Sequence, residues 1–131
     1  MAGFRRPQAG VVPVQLRYAD KRLEIKALHD TGNNLSDPLT GQPVLIVDCG
    51  VARYLTGLSQ QELEDPVASM GKLSGLRLIP YKTVGNPGGF LLGLKLSDVK
   101  IGGVTGSRLV AFAPGKLSED GEYEGLTGGA L

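Results

Sequence analysis

Cysteine is nearly absent from this sequence, and tryptophan is absent altogether. Because Cys49 is the single cysteine, no disulfide can form within the chain, and a reducing compartment is the better fit. Aromatic residues make up only 5% of the chain, and the 14 basic and 13 acidic residues leave a net charge of +1. Without a basic stripe or interleaved aromatic side chains, nucleic-acid binding is not expected.

Long hydrophobic runs are also missing. No apolar stretch approaches the ~20 residues that cross a bilayer, and no signal peptide is apparent. We therefore expect a soluble fragment. Residues 1–10, which include Arg5 and Arg6, are expected to be a linker or a cut edge, and residues 11–131 a single domain.

The chain has many turn-forming residues, with 20 glycines and 8 prolines. Apolar and polar residues alternate over 11–18 and again over 22–30, which predicts a β-hairpin. A capping box, Ser59 to Glu62, predicts one short helix that ends before Pro66. Further strands are predicted over 43–48, 76–84, 90–101 and 108–113. The predicted fold is mainly β: a small closed or nearly closed barrel with one short helix.

The second strand of the hairpin ends at the tripeptide Asp30-Thr31-Gly32. The tripeptide alone is weak evidence, since all three are ordinary turn residues. Its position between two apolar strands, however, would hold the Asp30 carboxylate on a rigid sheet, as an aspartic peptidase requires. Gly32 would permit close backbone approach, and the Thr31 hydroxyl could fix the loop.

Aspartic peptidase chemistry needs a second carboxylate, because two neighbouring carboxyl groups share one proton and act as base and acid. Asp48 is interpreted as a strand-end residue, and Asp120 as part of a solvated acidic turn. The chain has room for only one lobe, so we expect a homodimer in which Asp30 faces its symmetry mate. Neither a metal nor a cofactor is needed.

A candidate flap lies over residues 81–94, where two predicted strands are joined by the Gly- and Pro-rich segment 85–89. Such a hairpin could close over a bound peptide. From their positions, we predict that the following residues contact substrate: Leu35, Val84, Gly85, Gly88, Gly89 and Phe90.

Two longer segments resemble a known family. The segment 28–44, LHDTGNNLSDPLTGQPV, looks like the active-site region of the sporulation sigma-E factor-processing peptidases. The segment 79–85, IPYKTVG, followed by GFLLG at 89–93, resembles a second characteristic region of the same family. With the preceding hairpin, the resemblance covers most of the chain.

The resemblance implies an aspartic endopeptidase with a fold similar to a retroviral-protease protomer, acting as a homodimer. Asp30 would be the catalytic residue, and Thr31, Gly32 and Asn33 would form its loop. The implied substrate is a sporulation sigma factor precursor, whose N-terminal pro-segment is removed. The implied parent protein has an N-terminal membrane half, lies on the mother-cell side of the sporulation septum, and responds to a secreted signal protein.

Two features depart from the retroviral pattern. Asn33 replaces the small residue that commonly follows Asp-Thr-Gly, and the apolar-apolar-Gly motif is matched only by Leu126-Thr127-Gly128. Three alternatives stay open. Cys49 could be a thiol nucleophile with His29 as its base, although a packing role is favoured. The chain could cleave a different protein, or it could be a non-catalytic β-barrel that binds peptides or a partner.

Overall fold

The computed structural model describes residues 10–30, 35–83 and 86–128. The strands and helices are, in chain order, β1 Val11–Tyr18, β2 Lys21–His29, β3 Leu45–Val47, α1 Cys49–Thr56, α2 Gln60–Glu64, β4 Arg77–Thr83, β5 Asn86–Ile101, β6 Val104–Phe112 and β7 Gly125–Thr127. The predicted linker at the start of the chain lies, apart from Gly10, outside the described residues.

Six of the strands close into a barrel in the order β1-β2-β7-β3-β6-β5, because β5 also pairs with β1. Strand β4 pairs only with β5 and extends the sheet beyond the ring. Most pairs are antiparallel, but β2–β7 and β3–β6 are parallel, so the barrel is mixed. The prediction of a mainly β, closed barrel is confirmed.

The first hairpin also agrees with its prediction. Strands β1 and β2 pair in register from Val11 opposite Leu28 to Tyr18 opposite Lys21. Alternate residues of both strands, such as Val14 and Ile25, point into the barrel and are buried. Period-two alternation therefore identified both the strands and their inner faces.

The helices differ from the prediction in number. The predicted helix is α2, and its capping box is formed in both directions between Ser59 and Glu62. The helix α1 was not predicted. Asp48, interpreted from the sequence as a strand-end residue, is its N-cap, and the Asp48 side chain accepts a hydrogen bond from the Val51 N–H at 3.1 Å. The helix ends at Gly57, whose φ of 76° closes the last turn.

Two apolar clusters lie on opposite faces of the sheet. The larger one fills the barrel and takes in the helices. The smaller one, here called the second cluster, has five buried members: Val44, Ile79, Leu91, Leu109 and Ala111. Within the described part of the chain, no helix combines the length and apolar character needed to cross a bilayer.

Candidate active site

Asp30 lies immediately after β2, and its backbone remains part of the sheet. Its N–H donates a hydrogen bond to the Thr127 carbonyl oxygen at 2.7 Å, which is part of the parallel pairing of His29 with Thr127. The neighbouring His29 N–H is bonded in the same way to the Gly10 carbonyl on the β1 side. Asp30 itself is exposed. An exposed aspartate is thus attached to a strand that is held on both sides.

The strand beside Asp30 comes from the other end of the domain. Strand β7 lies between β2 and β3, with Leu126 opposite both Leu28 and Ile46. This is the Leu126-Thr127-Gly128 segment, which the sequence offered only as a loose match to an apolar-apolar-Gly motif. Leu126 and Thr127 were not predicted as site residues, although that match was the signal that could have found them.

Thr127 combines an anchoring backbone with an unusual side chain. Its carbonyl oxygen accepts the Asp30 N–H, while its side chain is completely buried. Among the residues that the structure describes, none is a hydrogen-bond partner of the Thr127 hydroxyl. A buried hydroxyl in this state costs about 1–3 kcal/mol relative to a satisfied one. The buried Thr127 hydroxyl therefore lowers the free energy of unfolding.

Several predicted site residues cannot be placed. The predicted active-site loop residues Thr31, Gly32 and Asn33 lie outside the described residues, as do Val84 and Gly85 of the predicted flap. Their roles stay predictions.

Leu35 is the first described residue after the candidate loop, and it is half-buried against the second cluster. It begins a tight hairpin over residues 35–44, here called the Asp37 hairpin. The Val44 N–H donates to the Leu35 carbonyl at 2.9 Å, and the Gly41 N–H to the Asp37 carbonyl at 2.8 Å. The Asp37 hairpin therefore packs on the second cluster through its first and last residues, Leu35 and Val44.

The Asp37 hairpin is attached to the barrel by a charged pair. The Lys95 ammonium donates to the Asp37 carboxylate at 2.7 Å, and only 1% of the Asp37 side chain is exposed. This contact, together with the Leu39 N–H, lowers the pKa of Asp37 from 3.8 to about 2. The carboxylate consequently stays ionised across the ordinary pH range and holds the hairpin on β5.

The predicted flap is a real hairpin of β4 and β5, but its glycine-rich part is not a loop as expected. Strand β5 already begins at Asn86, so Gly88, Gly89 and Phe90 belong to the strand. The Tyr81 ring lies over Gly89, where an added Cβ would meet it at 3.1 Å. Phe90 is 47% exposed. Since Tyr81 also packs on the second cluster, that cluster links the flap hairpin to Leu35.

The other acidic candidates in the chain have structural roles. Asp48 caps α1 and is buried. Asp120 accepts a hydrogen bond from the Ser118 hydroxyl at 2.8 Å, and this contact lowers the pKa of Asp120. Cys49, the alternative nucleophile, begins α1 and packs against the larger core cluster. None of these three has the strand-end exposure of Asp30.

Comparison with known proteins places the chain among peptidases. The profile of the sporulation factor SpoIIGA family, a peptidase family, matches residues 2–129. The chain belongs to this family of sporulation sigma-E factor-processing peptidases. No solved structure matches the chain.

Individual relatives agree with this assignment. A Bacillus subtilis (strain 168) sporulation sigma-E factor-processing peptidase is 31% identical over 132 residues, covering 88% of this chain and 42% of the relative. The Priestia megaterium protein of the same name is 32% identical, and the match covers 70% of this chain and 32% of the relative. A Bacillus thuringiensis subsp. kurstaki relative, named for sigma factor processing, is 32% identical, and the match covers 87% of this chain and 79% of the relative. The chain thus spans less than half of the first two relatives.

Proposed function

We propose that the chain is the peptidase part of an aspartic endopeptidase that removes the N-terminal pro-segment of a sporulation sigma factor precursor. The observation that carries the proposal is the position of Asp30: exposed, at the end of β2, and fixed by the hydrogen bond to Thr127. Family membership supplies the reaction class. Because Asp48 and Asp120 have structural roles, the second carboxylate would be Asp30 of a second copy.

The proposed reaction follows from two adjacent carboxyl groups that hold one proton between them. The ionised Asp30 takes a proton from a water molecule, whose oxygen attacks the peptide carbonyl carbon. The protonated Asp30 of the other copy gives its proton to the carbonyl oxygen. When the tetrahedral species collapses, the C–N bond breaks and the carboxyl group that took the water proton gives it to the leaving nitrogen. One hydroxyl of the tetrahedral species returns its proton to the other carboxylate, so the pair again holds one proton. Water is added across the bond, and no covalent enzyme intermediate forms.

The first test replaces Asp30 with Asn, which keeps its shape but removes the acid–base group. Asp30→Asn should abolish cleavage of a purified sigma factor precursor while the circular dichroism spectrum stays unchanged. Asp98→Asn is the matched control and should cleave normally. Asp98 is an exposed aspartate of β5 opposite Arg17, whereas Asp30 lies at the other end of β1, beyond Gly10. Persistent cleavage by Asp30→Asn would contradict the aspartic mechanism.

The dimeric dyad has its own test. If each site needs one Asp30 from each copy, mixing equal amounts of wild type and Asp30→Asn and letting the copies exchange leaves roughly a quarter of the dimers fully active. Independent active sites would instead retain about half of the activity. Sedimentation across concentration should show a dimer under the same conditions, and an active monomer would refute the two-copy site.

The remainder of the full-length protein would act through pairing. We propose that it holds the peptidase part at the membrane, on the mother-cell side of the septum, where a secreted signal protein controls the encounter of two copies. Tethering raises effective concentration to the millimolar range for short linkers. Fusion of this chain to a dimeric coiled coil should therefore raise its activity at low concentration, whereas a monomeric helix of equal length should not.

A further inference from the structure

The sheet has a free edge along the first half of β6. On one side, this half pairs with β5 as far as Arg108. On the other side, β3 pairs only with the second half of β6, from Val110 to Phe112. Within the described part of the chain, no backbone hydrogen bond reaches residues 104–107 from that side. Residues 104–107 are here called the β6 edge.

The backbone polar groups of Thr105 and Ser107 point away from β5. Ile101 and Val104 are paired across a two-residue turn, so the Val104 N–H faces β5. Successive residues of a strand direct their N–H groups to opposite sides. The Ala113 N–H, an even number of residues beyond Thr105, agrees with this alternation, because it donates to a β3 carbonyl at 2.8 Å. Thr105 and Ser107 therefore each present an N–H and a C=O to an added strand.

The β6 edge lacks the usual protection against strand addition. Proline and charged side chains commonly block exposed edges, and β4, which also pairs on one side only, carries the exposed Pro80 in its middle. The β6 edge reads Val-Thr-Gly-Ser and has neither. All four residues are exposed, and Val104 is 70% exposed. A Cβ added at Gly106 would meet open space. An extended chain can therefore approach this edge.

A cation without a carboxylate partner follows the β6 edge directly. Arg108 is half-buried, and its Nη1 donates to the Pro43 carbonyl oxygen at 3.0 Å. Among the described residues, no Asp or Glu forms an ion pair with it. Burial lowers the pKa of the Arg108 guanidinium, which has lost part of its hydration. Since a guanidinium carries five N–H donors, it can still bind a carboxylate through two of them.

Charge complementarity argues against a second copy as the occupant of the edge. If two β6 edges paired about a twofold axis with Val104 opposite Ser107, then Gly103 of the other copy would lie opposite Arg108. Shifting the register would place only other residues of 102–107 there, and none of them is acidic. The guanidinium would remain without a carboxylate. An extended segment that contains Asp or Glu satisfies both the backbone groups and Arg108.

We propose that the β6 edge and Arg108 bind an extended acidic segment of the protein substrate as an added strand, with one carboxylate on the guanidinium. That the segment belongs to the substrate rests on the proposed function. Strand β6 is separated from β2, which leads to Asp30, by β3 and β7 in one direction and by β5 and β1 in the other. The edge therefore holds a part of the substrate that is distant from the cleaved bond.

The first experiment measures binding without cleavage. Overlapping peptides of about 15 residues that span a sigma factor precursor are titrated with Asp30→Asn protein by fluorescence anisotropy. At least one acidic peptide should bind, and replacing its Glu or Asp by Gln or Asn should weaken binding about tenfold. Adding Arg108→Gln should weaken the acidic peptide by the same factor and remove this preference. Arg22→Gln is the matched control, because Arg22 is an exposed arginine of β2, and it should change nothing.

Thr105→Pro tests the strand addition itself. It removes an N–H that faces the free edge and leaves the β5 side of the ladder intact, whereas Thr105→Val keeps that N–H. Thr105→Pro should weaken peptide binding about tenfold and Thr105→Val should not, with both variants folded by circular dichroism. Binding of no peptide, or unchanged binding by Thr105→Pro or Arg108→Gln, would overturn the proposal. Loss of a dimer in Thr105→Pro with peptide binding intact would assign the edge to a second copy and would also overturn it.

A kinetic readout separates this proposal from the catalytic one. With Asp30 intact, Thr105→Pro should raise KM for the whole precursor about tenfold and leave kcat unchanged, because the edge binds ground state and transition state alike. Cleavage of a short peptide that spans only the cleaved bond should not change. If nothing is cleaved but peptide binding responds as expected, the edge site stands and the proposed function fails. An unchanged KM for a precursor that is cleaved would refute its docking on the β6 edge.

Discussion

Replacing Lys95 with Met should weaken the attachment of the Asp37 hairpin to the barrel. The change removes the ammonium that donates to Asp37 at 2.7 Å and leaves the buried carboxylate with the Leu39 N–H as its main support. Removing one partner of an enclosed ion pair is destabilising, because the remaining charge stays away from water.

The size of the effect follows from the pKa of Asp37. A decrease from 3.8 to about 2 corresponds to ~2.5 kcal/mol at most, at 1.36 kcal/mol per unit. Water reaches the Lys95 side chain, which is 26% exposed, so screening reduces the expected loss to about 1–2 kcal/mol. For a domain of this size, the melting temperature should fall by roughly 4–7 °C.

The pH dependence has a defined sign. The pKa of Asp37 is lower in the folded state than in the unfolded state, so its contribution to stability is fully present above pH ~4. It is lost as the pH falls through the folded value of about 2. Urea denaturation should therefore show the full difference between wild type and Lys95→Met at pH 7 and little difference at pH 2.

Two comparisons make this prediction refutable. In a double-mutant cycle with Asp37→Asn, the coupling energy should reach about 1 kcal/mol. Arg17→Met is the control, because the Arg17 and Asp98 side chains lie 3.6 Å apart and are half-exposed. This substitution should lower the free energy of unfolding by less than about 0.5 kcal/mol. A coupling near zero, or equal effects of Lys95→Met at pH 7 and pH 2, would refute the reasoning.

Three further substitutions can be measured by the same denaturation assay. Thr127→Val should raise the free energy of unfolding by about 1 kcal/mol, since it removes a buried hydroxyl for which the described part of the chain offers no partner, and Thr127→Ser should not. Gly93→Ala should lower the free energy of unfolding by more than about 2 kcal/mol, because the new Cβ would overlap Ile79 and lie 2.8 Å from a backbone carbonyl oxygen. Gly106→Ala is the control, and its new Cβ meets open space, so this substitution should lower the free energy of unfolding only slightly. Ser59→Ala should cost about 1 kcal/mol through loss of the α2 cap.

Local patterns explain which elements could be predicted from the sequence. The first hairpin, the flap hairpin and α2 depend on residues close together in the chain, and each was predicted. Helix α1 was not, because Gly50 and the β-branched Val51 are poor helix formers. Its stability comes instead from the packing of Val51, Ala52 and Leu55 against the barrel, a contact that no local window contains.

The candidate site was predictable only in part, for the same reason. The position of Asp30 at a strand end follows from the alternation of β2. Its neighbour Thr127 is distant in sequence and was marked only by the loose Leu126-Thr127-Gly128 match. Lys95, which secures the Asp37 hairpin, is also distant, and nothing in its local context marks it. Parallel pairing, as between β2 and β7, is especially hard to predict, because no short turn connects the two strands.

The β2–β7 pair shows why fold and candidate site cannot be separated in this domain. Strand β7 joins β2 to β3, so without it the ring of strands is open. The same strand accepts the Asp30 N–H through Thr127, and its Leu126 lies opposite both Leu28 and Ile46. In the proposed two-copy site, the Asp30 carboxylate has to meet its counterpart within ångströms, which requires a rigid base. The barrel provides that base at β7, where the closure of the ring and the anchor of Asp30 depend on the same three residues, Gly125–Thr127.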